Sequence, residues 1–169
     1  MDTPIINRVA QSGIITIDPV KFSPDQNSYA VFDIKEYLFQ GMLLKEKDYR
    51  AALKEKDWSN YVSKPTAITC SNDAIIPQWA PMLAASYLIA FTNEIKQCSK
   101  NELIEHLMLQ KINNLNLADY TDKRLVVKGC GDKVPQSTYV AIMQKLQPVA
   151  LSIMYGEPCS TVPLYKKKK

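Results

Sequence analysis

After residue 65 the chain repeats one pattern. Short apolar runs at Pro65–Thr69, Arg124–Lys128 and Val149–Tyr155 each lead into a turn, and helical segments separate them. An alternation of strand and helix buries its strands most readily as parallel neighbours joined by right-handed crossovers. Two earlier runs, Ile14-Ile15-Thr16-Ile17 and Tyr29-Ala30-Val31-Phe32, are β-branched or aromatic and bounded by turn residues, so they read as strands that could pair as a hairpin. The pattern implies an α/β protein: one domain over residues 1–165, with a mixed, largely parallel sheet and packed helices, followed by a basic tail at 166–169.

Helix signals fill the intervals. Asp33 offers an N-cap to a short helix through Tyr37 and Leu38, with Glu36 placed for a capping box. Glu46 to Lys56 carries Tyr49, Ala52 and Leu53 on one face. Met82 to Phe91 is apolar nearly all round, which predicts a central helix, and Pro81 is tolerated in its first turn. Ser99-Lys100-Asn101-Glu102 is a capping box for a helix striped by Leu103, Leu107 and Ile112, and Pro135 opens a last helix that runs to Leu146.

The chemistry-bearing residues gather where strands end. Cys70, Cys130 and Cys159 all lie in strand-exit turns, and Gly129, Gly131 and Gly156 are three of the five glycines in the chain. Ligands of open α/β sheets collect outside the carboxyl ends of the strands. If the strands share one sheet, Cys70 and Cys130 leave it at the same edge, and Cys159 can curl back to join them. A helix that follows a cysteine lowers the thiol pKa and favours thiolate, the form that binds metal or attacks. Three thiolates suit zinc or an iron–sulfur cluster, with Asp73, Asp132 or water as a fourth ligand. Cysteines bound to one zinc at about 2.3 Å must bring their sulfurs within roughly 4 Å of one another.

Each of these residues also has an ordinary structural role. Free cysteine is a small, readily buried hydrophobe, and Asp73 and Asp132 stand where helix caps and turns want aspartate. Cys98, at a helix boundary, reads as structural. His106, the only histidine, falls on the solvated, polar side of its helix with Glu102, Glu105 and Gln110, which argues against Ser–His and Cys–His catalysis. Lys128 can raise the local positive potential beside Cys130. No Gly-x-x-x-x-Gly-Lys-Ser/Thr or Gly-x-Gly-x-x-Gly nucleotide cradle occurs.

Charge and hydropathy narrow the function classes. Lys166 to Lys169 account for the whole excess of 21 basic over 17 acidic residues, so the body is neutral and a nucleic-acid partner is not expected. The N-terminus shows no secretory signal, and the stretch Trp79 to Phe91 is shorter than the ~20 residues a membrane helix needs. A cytoplasmic location, with reduced thiols and no membrane contact, is the expectation.

The stretches Val31-Phe32-Asp33-Ile34-Lys35, Thr69-Cys70-Ser71, Lys128-Gly129-Cys130 and Gly156-Glu157-Pro158-Cys159-Ser160-Thr161-Val162-Pro163-Leu164-Tyr165 carry a resemblance. There the chain resembles an uncharacterised bacterial family catalogued as domain of unknown function 2480. The likeness runs almost end to end and is most specific in the last stretch. It implies no activity and no catalytic residue. It does imply a link to iron–sulfur assembly proteins as partners, because genes of this family tend to lie beside that machinery. Three functional expectations result. The first is a metal-binding or iron–sulfur-associated protein with Cys70, Cys130 and Cys159 as ligands. The second is a cysteine-dependent enzyme or sulfur carrier with Cys130 as nucleophile. The third is a non-catalytic interaction module.

Overall fold

A computed structural model describes residues 13–129, 134–157 and 160–168. In chain order the strands are β1 (Ile14–Ile17), β2 (Ala30–Asp33), β3 (Leu38–Phe39), β4 (Leu43–Leu44), β5 (Thr66–Thr69), β6 (Ile95–Gln97), β7 (Arg124–Val127), β8 (Ser152–Glu157) and β9 (Ser160–Lys166). The helices are α1 (Glu46–Glu55), α2 (Trp79–Leu88), α3 (Lys100–Asn113) and α4 (Gln136–Leu146). The fold is α/β, and its strands form two larger sheets and a two-stranded ribbon of β3 and β4. No described helix is long and apolar enough to cross a membrane.

The chain divides into two compact units, one spanning Pro24–His106 and the other containing the described residues on either side of it. In the first, β2, β5 and β6 form a three-stranded sheet in that order, all parallel. Its core is aromatic. Phe32 stacks on Tyr37 and Trp58 at 5.4 and 5.7 Å between ring centroids, and Trp58 stacks on Tyr87 at 5.6 Å. The polar ends of these rings have partners, as burial requires. Trp58 Nε1 donates to the Leu53 carbonyl at 3.2 Å, and the Tyr49 hydroxyl donates to the Ala80 carbonyl at 3.2 Å.

The second unit is built on a four-stranded sheet in the order β1-β7-β8-β9. The first three strands are parallel, and β9 is antiparallel with a bulge between Ile153 and Met154. This is the mixed, largely parallel sheet expected. Ile17, Leu125, Val127 and Ile153 alternate onto one face and pack with Ile112, Ile142, Leu146 and Ala150.

Three expectations are corrected. β1 and β2 do not form a hairpin: each pairs in parallel with a strand far along the chain, β1 with β7 and β2 with β5. The apolar helix α2 buries Ala80, Ala84 and Leu88 but leaves Met82 exposed, so it is covered on one face and is not central. The lysine run begins inside the sheet. Lys166 pairs with Ser152, the Lys167 N–H donates to the Leu151 carbonyl at 2.9 Å, and its ammonium meets Asp122 at 2.9 Å.

Candidate thiol site

Because β2, β5 and β6 are parallel, their last residues Asp33, Thr69 and Gln97 share one edge of the sheet. Asp33 caps the turn that follows β2. Its carboxylate accepts the N–H groups of Lys35 and Ser71, each at 3.0 Å, which ties the exit of β2 to the exit of β5. Partial burial opposes the Asp33 charge, but hydrogen bonds from the Ser71 hydroxyl and from these two N–H groups, helped by the Lys35 charge, hold its pKa below the usual carboxylate range.

Cys70 follows Thr69 directly and Cys98 follows Gln97 directly. The Cys98 N–H donates to the Ile68 carbonyl at 3.2 Å, extending the β5–β6 ladder by one bond. Both cysteines are half-buried, and both line one pocket of about 160 Å³ floored by Ile34, Ile68, Ile76 and Pro81. That pocket shares Ile68, Pro81 and Gln97 with an open groove of about 450 Å³ along α2 and β6, lined by Met82, Ala85, Ile89 and Ile95.

Both thiols are free. Cys70 Sγ lies 3.5 Å from the Asn72 carbonyl and donates to it, a bond that needs the thiol proton. The Asn72 amide in turn donates to the Gly41 carbonyl at 2.7 Å, so the turn after Cys70 is held in place. Burial pushes the Cys98 thiol up, the Glu102 carboxylate adds to the rise, and Lys96 opposes it. The thiol form therefore prevails at Cys98, and a ligand that wants thiolate must displace its proton.

The sequence-predicted ligands divide sharply. Cys70 stands at a strand exit, as expected, but α2 begins only at Trp79 with Gln78 as its N-cap, so Cys70 gains nothing from a helix N-terminus. Asp73 is exposed, caps no helix, and forms no hydrogen bond or ion pair among the described residues. Cys130, Asp132 and Cys159 lie outside the described residues. The expectation that the strands leading to Cys70, Cys130 and Cys159 belong to one sheet is corrected: β5 lies in the three-stranded sheet, whereas β7 and β8 lie in the four-stranded one. Among the described residues, no group of three or more His, Cys, Asp and Glu side chains is placed to hold a metal ion. Tetrahedral zinc takes four donors in a structural site and three in a catalytic one, and clusters usually take four cysteines. Cys70 and Cys98 alone fall short of either set.

The neighbouring signals have local explanations. His106 Nε2 lies 3.0 Å from Glu94 Oε1, so its partner comes from the loop before β6 and not from its own helix. The Lys128 ammonium has a carboxylate partner in Asp18 at 3.8 Å. At 129 a side chain would meet the end of the Tyr155 ring, whose hydroxyl would stand 2.7 Å from a Cβ, so glycine lets Tyr155 lie against the backbone there. Glycine is required at 156 because φ is +123°.

Cys98 is the residue that sequence reasoning assigned to structure alone. Strand β6 has only three residues, Ile95-Lys96-Gln97, too few to show a period, so the cysteine after it looked like part of a helix boundary. The capping box of α3 was legible and marks its position. The Ser99 N–H donates to Glu102 Oε2 at 2.7 Å, and the Glu102 N–H donates to Ser99 Oγ at 3.3 Å.

These features define an α/β protein with a paired-thiol pocket at the carboxyl edge of a small parallel sheet. The chain belongs to the family of proteins of unknown function DUF2480, whose sequence profile matches residues 3–167. No curated protein and no solved structure matches it.

Proposed function

We propose that the protein binds a soft metal, as zinc or an iron–sulfur cluster, through its cysteine thiols and serves iron–sulfur assembly. The observation that supports this is the convergence of Cys70 and Cys98, from neighbouring parallel strands, on one pocket. Cys98 thus joins Cys70 as a thiol donor at this pocket, while Cys130, Cys159, Asp73 and Asp132 stand as separate candidate donors expected from the sequence. Soft thiolates select zinc and iron–sulfur clusters over hard cations. Any metal must displace the thiol protons, so uptake will strengthen as pH rises.

The test is metal analysis of protein purified without oxygen, with zinc titration and cluster reconstitution beside it. C70S/C98S and C130S/C159S are measured in parallel. The expected result is stoichiometric zinc or iron in the native protein and its loss in C70S/C98S. Loss in C130S/C159S as well would extend the ligand set to those thiols. Protein free of both metals after purification and after reconstitution would end the proposal.

A second reading, a non-catalytic interaction module, draws on the groove beside the pocket. Met82 is 72% exposed and Ile89 67% exposed along it, an arrangement suited to an apolar partner segment. M82K with an unchanged metal content but a lost partner would favour that role.

A further inference from the structure

A second cavity lies in the other unit, on the four-stranded sheet, with a volume of about 590 Å³. Its position follows from strand register. Ile14, Arg124, Ser152 and Lys166 are matched across β1, β7, β8 and β9, so they form one row on one face of the sheet. Ile17, Leu125, Val127 and Ile153 belong to the opposite, core-facing set. The row lines the cavity, and Met154 and Pro163, a register pair one step further along the same face, continue it.

The lining has two chemistries. Ile14, Met154 and Pro163 give it an apolar floor, and Arg124, Lys166 and Lys167 bring three cations to it. Lys167 is answered by Asp122 at 2.9 Å. Arg124 and Lys166 have no carboxylate partner among the described residues. Small-molecule sites are concave, mostly apolar and ~300–1,000 Å³ in volume, with a few convergent polar groups that fix orientation.

We propose that this cavity binds a monomeric alkyl carboxylate, with its hydrocarbon chain over Ile14, Met154 and Pro163 and its carboxylate between Arg124 and Lys166. The chain leaves water for an apolar surface. The guanidinium takes the carboxylate through charge-assisted hydrogen bonds, with the fork geometry that suits two oxygens. The cationic side chains exclude a neutral ligand as the preferred one and a cationic ligand altogether.

The test is calorimetric titration of the full chain with octanoate, decanoate and decanol, all below their aggregation limits, using the native protein, R124Q and M154W. Two added methylenes at about 0.8 kcal/mol each should make decanoate bind on the order of tenfold more tightly than octanoate. R124Q should weaken decanoate roughly tenfold, the scale of one charged hydrogen bond, and leave decanol unchanged. M154W should block both, by filling the floor. Arg124 is exposed, so R124Q keeps the test valid if M154W does not fold. The proposal is overturned if decanoate shows no saturable binding, or if R124Q binds it as the native protein does. Binding to anionic phospholipid vesicles without binding to free decanoate would overturn it too.

Discussion

The two units bury their interiors by different means. Pro24–His106 fills its core with rings: Phe32, Tyr49, Trp58 and Tyr61 are buried, and Tyr37, Trp79, Tyr87 and Phe91 pack against them. The other unit buries Ile17, Ile112, Leu125, Val127, Ile142, Leu146, Ala150 and Ile153, with no aromatic in that buried cluster among the described residues. The three strands of the aromatic unit's larger sheet have four, four and three residues, so that sheet offers little surface. Large rings carried by helices and turns supply the missing contact area. The aliphatic unit has a wider sheet whose alternate β-branched residues make a core face directly.

The difference extends to how each core treats polar groups. The Lys56 ammonium sits 5.7–5.9 Å from the ring centroids of Phe32, Tyr37, Trp58 and Tyr61, where aromatic faces attract a cation. An aliphatic core has no such accommodation. There Thr138 is fully buried, and its hydroxyl has no hydrogen-bond partner among the described residues.

The largest effect expected is from W58A. Removing a ring that touches Phe32, Tyr61, Tyr87 and Phe91 should cost about 3–5 kcal/mol in urea unfolding. The comparison breaks if that variant loses less than L125A. Leu125 is fully buried in the aliphatic unit, and its truncation should cost about 2–5 kcal/mol. Both tryptophans, Trp58 and Trp79, belong to Pro24–His106, so tryptophan fluorescence follows the aromatic unit, while far-ultraviolet circular dichroism follows both.

The third prediction is alkaline destabilisation of the aromatic unit. Burial raises the Tyr49 pKa, with Tyr37 adding to it, and burial raises that of Tyr61 against the pull of Lys56. Burial works against the Lys56 charge, but a hydrogen bond with Tyr37 and the fields of Tyr61, Tyr37 and Glu36 outweigh it, so its pKa also rises. All three folded values exceed the unfolded ones. Their stabilisation is therefore present below about pH 10 and is lost as pH climbs through the folded values. K56M should cost about 1 kcal/mol near neutrality, read by urea unfolding. The smallest effect is expected from T138V. It removes a buried hydroxyl while keeping its shape, so unfolding should be unchanged or up to about 1 kcal/mol more costly. A destabilised T138V would mean that the aliphatic unit does house a satisfied polar group, and the contrast would narrow.

The local elements were legible in the sequence because their signals are local. β-branched runs marked β1, β2, β5 and β7. Asp33 capped the turn after β2, and the Ser99–Glu102 box opened α3. Pro81 fell in the first turn of α2, as its missing N–H demands. The site was less legible. Cys70 stood out from its strand-exit position, but its companion Cys98 follows a strand too short to carry a period.

What the sequence determined by itself was the inventory: which residues extend, which coil into helices, and which side of each must be buried. Propensity and period are properties of neighbouring residues, so they survive without a fold. Tertiary structure alone decided the partners. It set β1 beside β7 and β2 beside β5, split the strands between two sheets, brought Cys98 to the pocket of Cys70, and aligned Arg124 with Lys166 over an apolar floor. Pairing and register depend on contacts between residues far apart along the chain, and no single stretch carries that information.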